Sequence, residues 1–178
     1  GAALWGGYRH IKLKEKQGGK SDYSKKEVPG LKAAVIVCSD SISKGSKDDR
    51  AGKVIIEKLK QCDVEVVDYI IIPDDKDIIH KKVAGYCDAQ LNMVLLTGGT
   101  GLSPRDITPE ALAPVSDRKI PGIEEAIRAY GQQRTPYAML SRSIAGIKGN
   151  TLILALPGST RGAAESMDAV FPQLLHIF

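Results

Sequence analysis

The chain is poor in the residues that hold metals or build covalent staples. Its three cysteines (Cys38, Cys62, Cys87) are odd in number and lack C-x-x-C spacing. That excludes a disulfide framework and a zinc knuckle. The three histidines (His10, His80, His176) form neither an H-x-x-x-H nor an H-E-x-x-H frame, so a zinc hydrolase is not expected. No apolar run approaches the roughly 18–20 residues of a membrane span, and the first residues do not read as a secretory signal. The expectation is a cytoplasmic protein without a membrane partner. Charge of one sign is also scarce: the net charge is +4, and residues 1–30 account for all of it, with seven basic and three acidic side chains. The remainder is neutral and shows no stripe of Lys and Arg interleaved with aromatics, so no nucleic-acid partner is expected.

What is present fits one globular domain behind a short extension. Residues 1–30 are Gly- and Lys-rich and read as an extension and linker, and a domain over 31–178 begins near Leu31. A domain of roughly 150 residues buries about 68–70% of its unfolded surface, enough to fold without a staple. Lys32–Cys38 is a β-branched apolar run typical of a strand buried on both faces. The polar loop Ser39–Asp49 follows, and then helical spacing over Arg50–Gln61, with Val54, Ile55 and Leu59 on one side. A second strand, Glu65–Ile72, stops at Pro73; Asp74, Asp75 and Asp77 open a helix through Asp77–Tyr86. The third strand is Met93–Thr97. Thr108-Pro109 reads as an N-cap with Pro at the first helical position, and Pro121–Gln133 as an amphipathic helix. Ile144–Ile147 and Thr151–Leu156 flank a tight reversal at Lys148-Gly149-Asn150. A last helix starts near Thr160 and is kinked or split by Pro172. The β-α-β-α-β rhythm predicts an α/β fold of three layers, α/β/α, with a mostly parallel sheet.

Ligands of such sheets bind outside the carboxyl ends of the parallel strands. Three loops there are unusually polar or Gly-rich: Ser39–Asp49, Thr97–Asp106 (TGGTGLSPRD) and Pro157–Thr160 (PGST). Together they would supply anion-binding backbone, hydroxyls and carboxylates, which suits a phosphorylated ligand and a metal ion. In the middle loop, Gly98, Gly99 and Gly101 allow close approach of the main chain, Thr97 and Thr100 add hydroxyls, and Asp106 is available for Mg2+. Two other phosphate-binding motifs fail on spacing. A dinucleotide fingerprint from Gly99-Thr100-Gly101 would need Gly or Ala where Pro104 stands, and Gly19-Lys20-Ser21 has Lys14 where a P-loop needs its first glycine.

Thr97–Glu110 as a whole (TGGTGLSPRDITPE) resembles the hallmark segment of the molybdenum-cofactor-biosynthesis family that binds molybdopterin, which includes the molybdopterin adenylyltransferases and the gephyrin G domain. The likeness continues at Ser39-Asp40-Ser41, Asp49-Arg50-Ala51-Gly52, Ala138–Gly146 (AMLSRSIAG) and Leu156–Ser159 (LPGS), in the right order across residues 31–178. It implies a homotrimeric molybdopterin-binding domain that uses MgATP to transfer AMP to the terminal phosphate of molybdopterin. By position, Asp49 and Asp106 take the catalytic and Mg2+ roles. Gly98, Gly99, Thr100, Gly101, Pro157 and Gly158 shape the nucleotide site, and Ser39, Asp40, Thr97, Ser141, Arg142 and Ser159 hold the pterin. One departure stands out: Ser159-Thr160 replaces the Asn-Pro of the plant and gephyrin proteins, the version seen in a bacterial branch where adenylyl transfer is not always established. The alternative is therefore a binding or scaffold module without AMP transfer. Upstream, Ile11–Tyr23 (IKLKEKQGGKSDY) resembles the C-terminal end of the cyclic pyranopterin monophosphate synthase, which implies a fusion; an unrelated basic linker is the alternative.

Overall fold

A computed structural model describes residues 30–178; the expectations for the basic extension fall outside them. The elements, in chain order, are β1 (Lys32–Cys38), the short α1 (Asp40–Ser43), α2 (Ala51–Gln61), β2 (Glu65–Ile72), α3 (Lys76–Asp88), β3 (Met93–Thr97), α4 (Thr108–Leu112), β4 (Arg118–Lys119), α5 (Pro121–Gln132), β5 (Ile144–Lys148), β6 (Thr151–Leu156) and α6 (Thr160–Val170). Short 3-10 turns lie at Ala138–Leu140 and Gln173–Ile177.

Six strands form one sheet in the order β2-β1-β3-β6-β5-β4. The pairs β1·β2, β1·β3 and β3·β6 are parallel, whereas β5 runs antiparallel to both β6 and β4. The predicted mostly parallel sheet is therefore present, with the β5–β6 hairpin turning through Gly149 at φ +57°. The central strands are buried on both faces, and their side chains alternate between two cores. Val35, Leu95 and Leu154 face α2, α5 and α6, where they meet Ile55, Leu59, Ile127 and Met167. Ile36, Leu96 and Ile153 face α3 and α4, where they meet Ile79, Val83 and Leu112. Helices on both faces give the three layers expected. Each large side chain fully buried this way contributes roughly 1.5–3 kcal/mol.

Several local expectations are corrected. Thr108 is not an N-cap: Ile107 occupies that position without a side-chain cap bond. The Thr108 hydroxyl is wholly buried and instead donates to the Gly98 carbonyl at 2.9 Å. Of the three acids, Asp75 caps α3, accepting from the Asp77 and Ile78 amides, and Asp77 lies in its first turn as expected; Asp74 turns away towards the loop after β1. The loop after β1 contains α1, and the two-residue β4 joins the sheet edge, neither of which has a periodicity long enough to read. α6 ends at Val170 because Phe171, ahead of Pro172, is extended.

Candidate functional site

Because β2 lies on one side of β1 and β3 on the other, the crossovers diverge at β1 and leave a crevice at the carboxyl ends of β1 and β3. A cavity of about 590 Å³ opens there. Its walls come from all three predicted loops: Ser39 and Asp49 after β1, Thr97, Gly98, Gly99 and Asp106 after β3, and Gly158 and Ser159 after β6. Two eleven-residue helices, α2 and α6, start on its rim, at Arg50-Ala51 and Ser159-Thr160. Their positive ends favour an anion.

The glycine loop is held by tight backbone packing. Gly98 and Gly99 have φ of +100° and +67°. A Cβ on Gly98 would lie 2.2 Å from the Cys38 carbonyl oxygen, and one on Gly99 would lie 2.2 Å from the Thr108 hydroxyl. Only glycine meets both demands. The Thr97 hydroxyl, almost fully buried, donates to the Pro157 carbonyl at 2.7 Å and ties the loop after β3 to the loop after β6. Cys38 lines the cavity from the end of β1, but its burial pushes the thiol up to about 12, so it stays protonated.

Asp48, Asp49, Asp74 and Asp106 line the cavity, and Asp40 bonds to Asp74 from outside its lining. Asp40 and Asp74 exchange backbone contacts: the Asp74 amide donates to Asp40 Oδ1 at 3.0 Å and the Asp40 amide to Asp74 Oδ2 at 3.1 Å. Arg105 closes the group with Nε and Nη2 at 3.0 and 2.8 Å from Asp40 Oδ2, and this bond holds the Asp40 carboxyl below its usual range. Asp74 is the reverse case. Its Oδ1 is buried without a hydrogen-bond partner, and desolvation, followed by the neighbouring charges of Asp40 and Asp106, raises its pKa. Asp106 accepts from the Ser103 amide through Oδ2 at 2.9 Å. Among the described residues, no three His, Cys, Asp or Glu side chains converge closely enough to hold a metal by themselves.

The structure thus brings together Ser39, Asp49, Thr97, Gly98, Gly99, Asp106, Gly158 and Ser159 on one cavity wall. Asp49 is 4% exposed, and both its oxygens are engaged. Oδ1 accepts from the Gly52 amide at 2.9 Å, and Oδ2 accepts from the Tyr69 hydroxyl. Pro157 and Ser141 line a smaller cavity of about 200 Å³ between α5 and α6, with Ile127, Ala138 and Ser166; Ser159 borders both cavities. Asp40, Thr100, Gly101 and Arg142 line neither. Arg142, expected to hold the pterin, spends its guanidinium on the protein: Nε donates to Gly101 O at 2.9 Å, Nη2 to Asp106 O at 2.6 Å, and Nη1 to Glu110.

Three wall residues were missed as site candidates. The sequence pattern gives Asp74 only a helix-opening role, and nothing in it separates Asp74 from Asp75. Lys47 and Arg50 also face the cavity. Among the described residues neither forms an ion pair, so both are open to an anionic ligand. The Ser159-Thr160 departure has a local explanation. Ser159 is the N-cap of α6, its Oγ accepting from the Gly162 amide at 3.0 Å. Asn-Pro supplies the same cap and first-turn geometry by other means.

The comparisons with known proteins agree with this geometry. A family described as "Probable molybdopterin binding domain" matches residues 34–176. The molybdopterin adenylyltransferase of Helicobacter pylori is 40% identical over 143 residues, covering 79% of this chain and 81% of that protein. The molybdenum cofactor biosynthesis bifunctional protein of Chlorobaculum tepidum is 36% identical over 168 residues, covering 94% of this chain but only 53% of the relative's own length. Among solved structures, the molybdopterin biosynthesis enzyme MoaB of Thermus thermophilus superposes with a TM-score of 0.79 at 42% identity, covering 83% of this chain and 93% of that one. With the sheet, the glycine loop and the converging carboxylates in place, the chain belongs to the molybdopterin-binding-domain family of molybdenum cofactor biosynthesis.

Proposed function

We propose that the chain binds molybdopterin and ATP side by side and transfers AMP to the terminal phosphate of the pterin. The observation that carries this reading is the 590 Å³ cavity whose wall brings together Asp74, Asp106, the unpaired Lys47 and Arg50 and two helix N-termini. A pterin binder alone has no use for acids beside a phosphate; a nucleotide phosphate carrying a divalent cation does. The smaller, more apolar cavity next to it suits a planar ring, and Ser159 borders both.

Mg2+ fits these residues: it is bound through one or two carboxylates plus substrate phosphates and keeps several waters, so no protein cage is needed. Asp74 and Asp106 would hold it, because Asp74 Oδ1 lacks a partner whereas both oxygens of Asp49 are engaged. When bound, it supplies neutralisation of charge on the phosphate oxygens. The protein's own part is positioning. The glycine loop lets the main chain approach the phosphates, and Lys47 and Arg50 offset the charge of the departing pyrophosphate. In the reaction, an oxygen of the pterin's terminal phosphate forms a bond to the α-phosphorus of ATP. The bond from that phosphorus to the β-phosphate oxygen breaks, and pyrophosphate leaves with its electron pair. Alignment of two bound phosphates supplies most of the acceleration, and no nucleophilic side chain is required.

The chain is further proposed to act as a cytoplasmic homotrimer and to derive from a fusion. The match to the bifunctional Chlorobaculum protein supports the latter, since it covers 94% of the chain and so reaches upstream of the described domain. The function is tested by incubating the protein with molybdopterin and MgATP and following pyrophosphate. Release that depends on molybdopterin is expected; saturable pterin binding without release would make this a binding module.

A further inference from the structure

Arg142 stands outside both cavities of the proposed site, bordering instead a separate one of about 260 Å³ with Glu110 and Ile144, and yet is attached to the glycine loop at more points than any residue that lines them. Its backbone amide donates to Thr100 O at 2.8 Å, its Nε to Gly101 O at 2.9 Å and its Nη2 to Asp106 O at 2.6 Å. The remaining arm, Nη1, is anchored to Glu110 on α4. One side chain therefore fixes both ends of the segment 101–106. That segment is irregular, with Leu102 and Ser103 exposed; its other anchor is Arg105, which bonds Asp40 Oδ2 and the Asp74 carbonyl on the far side. The Asp106 carboxylate has its own short-range bond, to the Ser103 amide, but Ser103 belongs to the same segment, so that bond cannot locate the segment relative to the sheet. Arg142, just ahead of β5, fixes the two ends of the segment, while Arg105 holds its middle to the loops after β1 and β2.

The geometry also has a polarity. In a trans peptide the C=O and the N–H point in opposite directions. Drawing the carbonyls of Thr100, Gly101 and Asp106 towards one guanidinium and its backbone therefore turns the amides of Gly101, Leu102 and Ile107 away from it. The cation thus takes the negative ends of these three peptide dipoles.

We propose that Arg142 is a positioning residue: the planar fork of its guanidinium sets the conformation of the glycine loop and thereby the place of the Asp106 carboxylate, without touching substrate. The inference rests on the proposed AMP transfer for its kinetic readout, but not for its structural one. A fork is essential because two carbonyls and one carboxylate must be met in fixed directions. Lysine carries the charge on a single nitrogen and cannot span them.

The test uses the full chain with Arg142→Lys and Arg142→Gln, checked for folding by circular dichroism. In each, hydrogen exchange of the peptide spanning residues 98–107 should quicken about tenfold or more, while peptides of β1, β3 and β6 keep their protection. With molybdopterin and MgATP, kcat should fall about 100-fold, the scale of a misplaced reacting group, and KM for both substrates should stay within about threefold. Wild-type loop protection in Arg142→Lys would overturn the proposal, as would a variant that raises KM for molybdopterin at unchanged kcat, because Arg142 would then act as a binding charge. Should the wild-type protein itself transfer no AMP, the proposed function fails, and loop exchange alone decides the role of Arg142: faster exchange in both variants supports it and unchanged exchange refutes it.

Discussion

Replacing Asp74 by asparagine should make the protein more stable and less active at once. In the ligand-free protein Asp74 Oδ1 is buried without a partner, beside the charges of Asp40 and Asp106. Asparagine leaves a polar atom at that position but no charge, and an unpaired buried charge costs more than a neutral group, here by about 1 kcal/mol because Asp74 is only partly buried. Removing the charge should therefore recover about 1 kcal/mol, which in a domain of this size is about 2–4 °C in Tm. The sign with pH follows from the raised folded pKa. Below the unfolded carboxylate value of about 3.9 both states are protonated and the variant has no advantage. As pH rises through the elevated folded pKa of Asp74, wild-type loses stability and the variant does not. Differential scanning calorimetry from pH 4 to 8 should show a Tm gap that opens with pH in favour of Asp74→Asn. MgATP at about 100 times its Kd should then reverse the order, adding about 2.7 kcal/mol to wild-type and much less to the variant. A gap of the opposite sign, or one independent of pH, would refute the reasoning.

Other outcomes follow from the same contacts. Asp106→Asn should keep its circular dichroism spectrum and lose AMP transfer by about 100-fold or more, since the shape survives and the charge does not; a wild-type rate would remove Asp106 from the mechanism. Gly99→Ala, at φ +67° and with a Cβ 2.2 Å from the Thr108 hydroxyl, should cost more than about 1 kcal/mol in urea unfolding, and an unchanged midpoint would contradict the packing described. Tyr69→Phe leaves a buried oxygen of Asp49 without its donor and should lower stability by about 1–3 kcal/mol. Burial first, and Asp49 second, raise the Tyr69 pKa, so this loss should be flat from pH 6 to 9. A chain that begins near Val28 should keep its Tm and its ligand affinity, because both cores and both cavities lie downstream.

The sheet was legible because its strands are short apolar runs with little ambiguity: Lys32–Cys38, Glu65–Ile72, Met93–Thr97 and Thr151–Leu156 all appear at the predicted limits. The three polar loops converge as parallel topology demands. What escaped was the direction of individual side chains. Thr108 has the residue pattern of a helix cap, but the helix already includes it, with Ile107 at the cap position, and its hydroxyl donates to the Gly98 carbonyl. Asp74 and Asp75 are equivalent as sequence, and only the fold sends one to the helix and the other to the cavity. Arg142 is assigned to the pterin by its place in the family motif, and the sequence gives no sign of its partners Gly101 O and Asp106 O, which lie 41 and 36 residues away in the chain. Backbone carbonyls in an irregular loop leave no mark in a sequence.

The most direct test of the central claim is phosphorus NMR of a mixture of the protein, molybdopterin and MgATP. Transfer of AMP to the pterin predicts that the phosphate monoester signal of molybdopterin disappears as a phosphoanhydride signal and free pyrophosphate grow in equal amounts. An unaltered monoester signal beside intact ATP, with the pterin demonstrably bound, would contradict it.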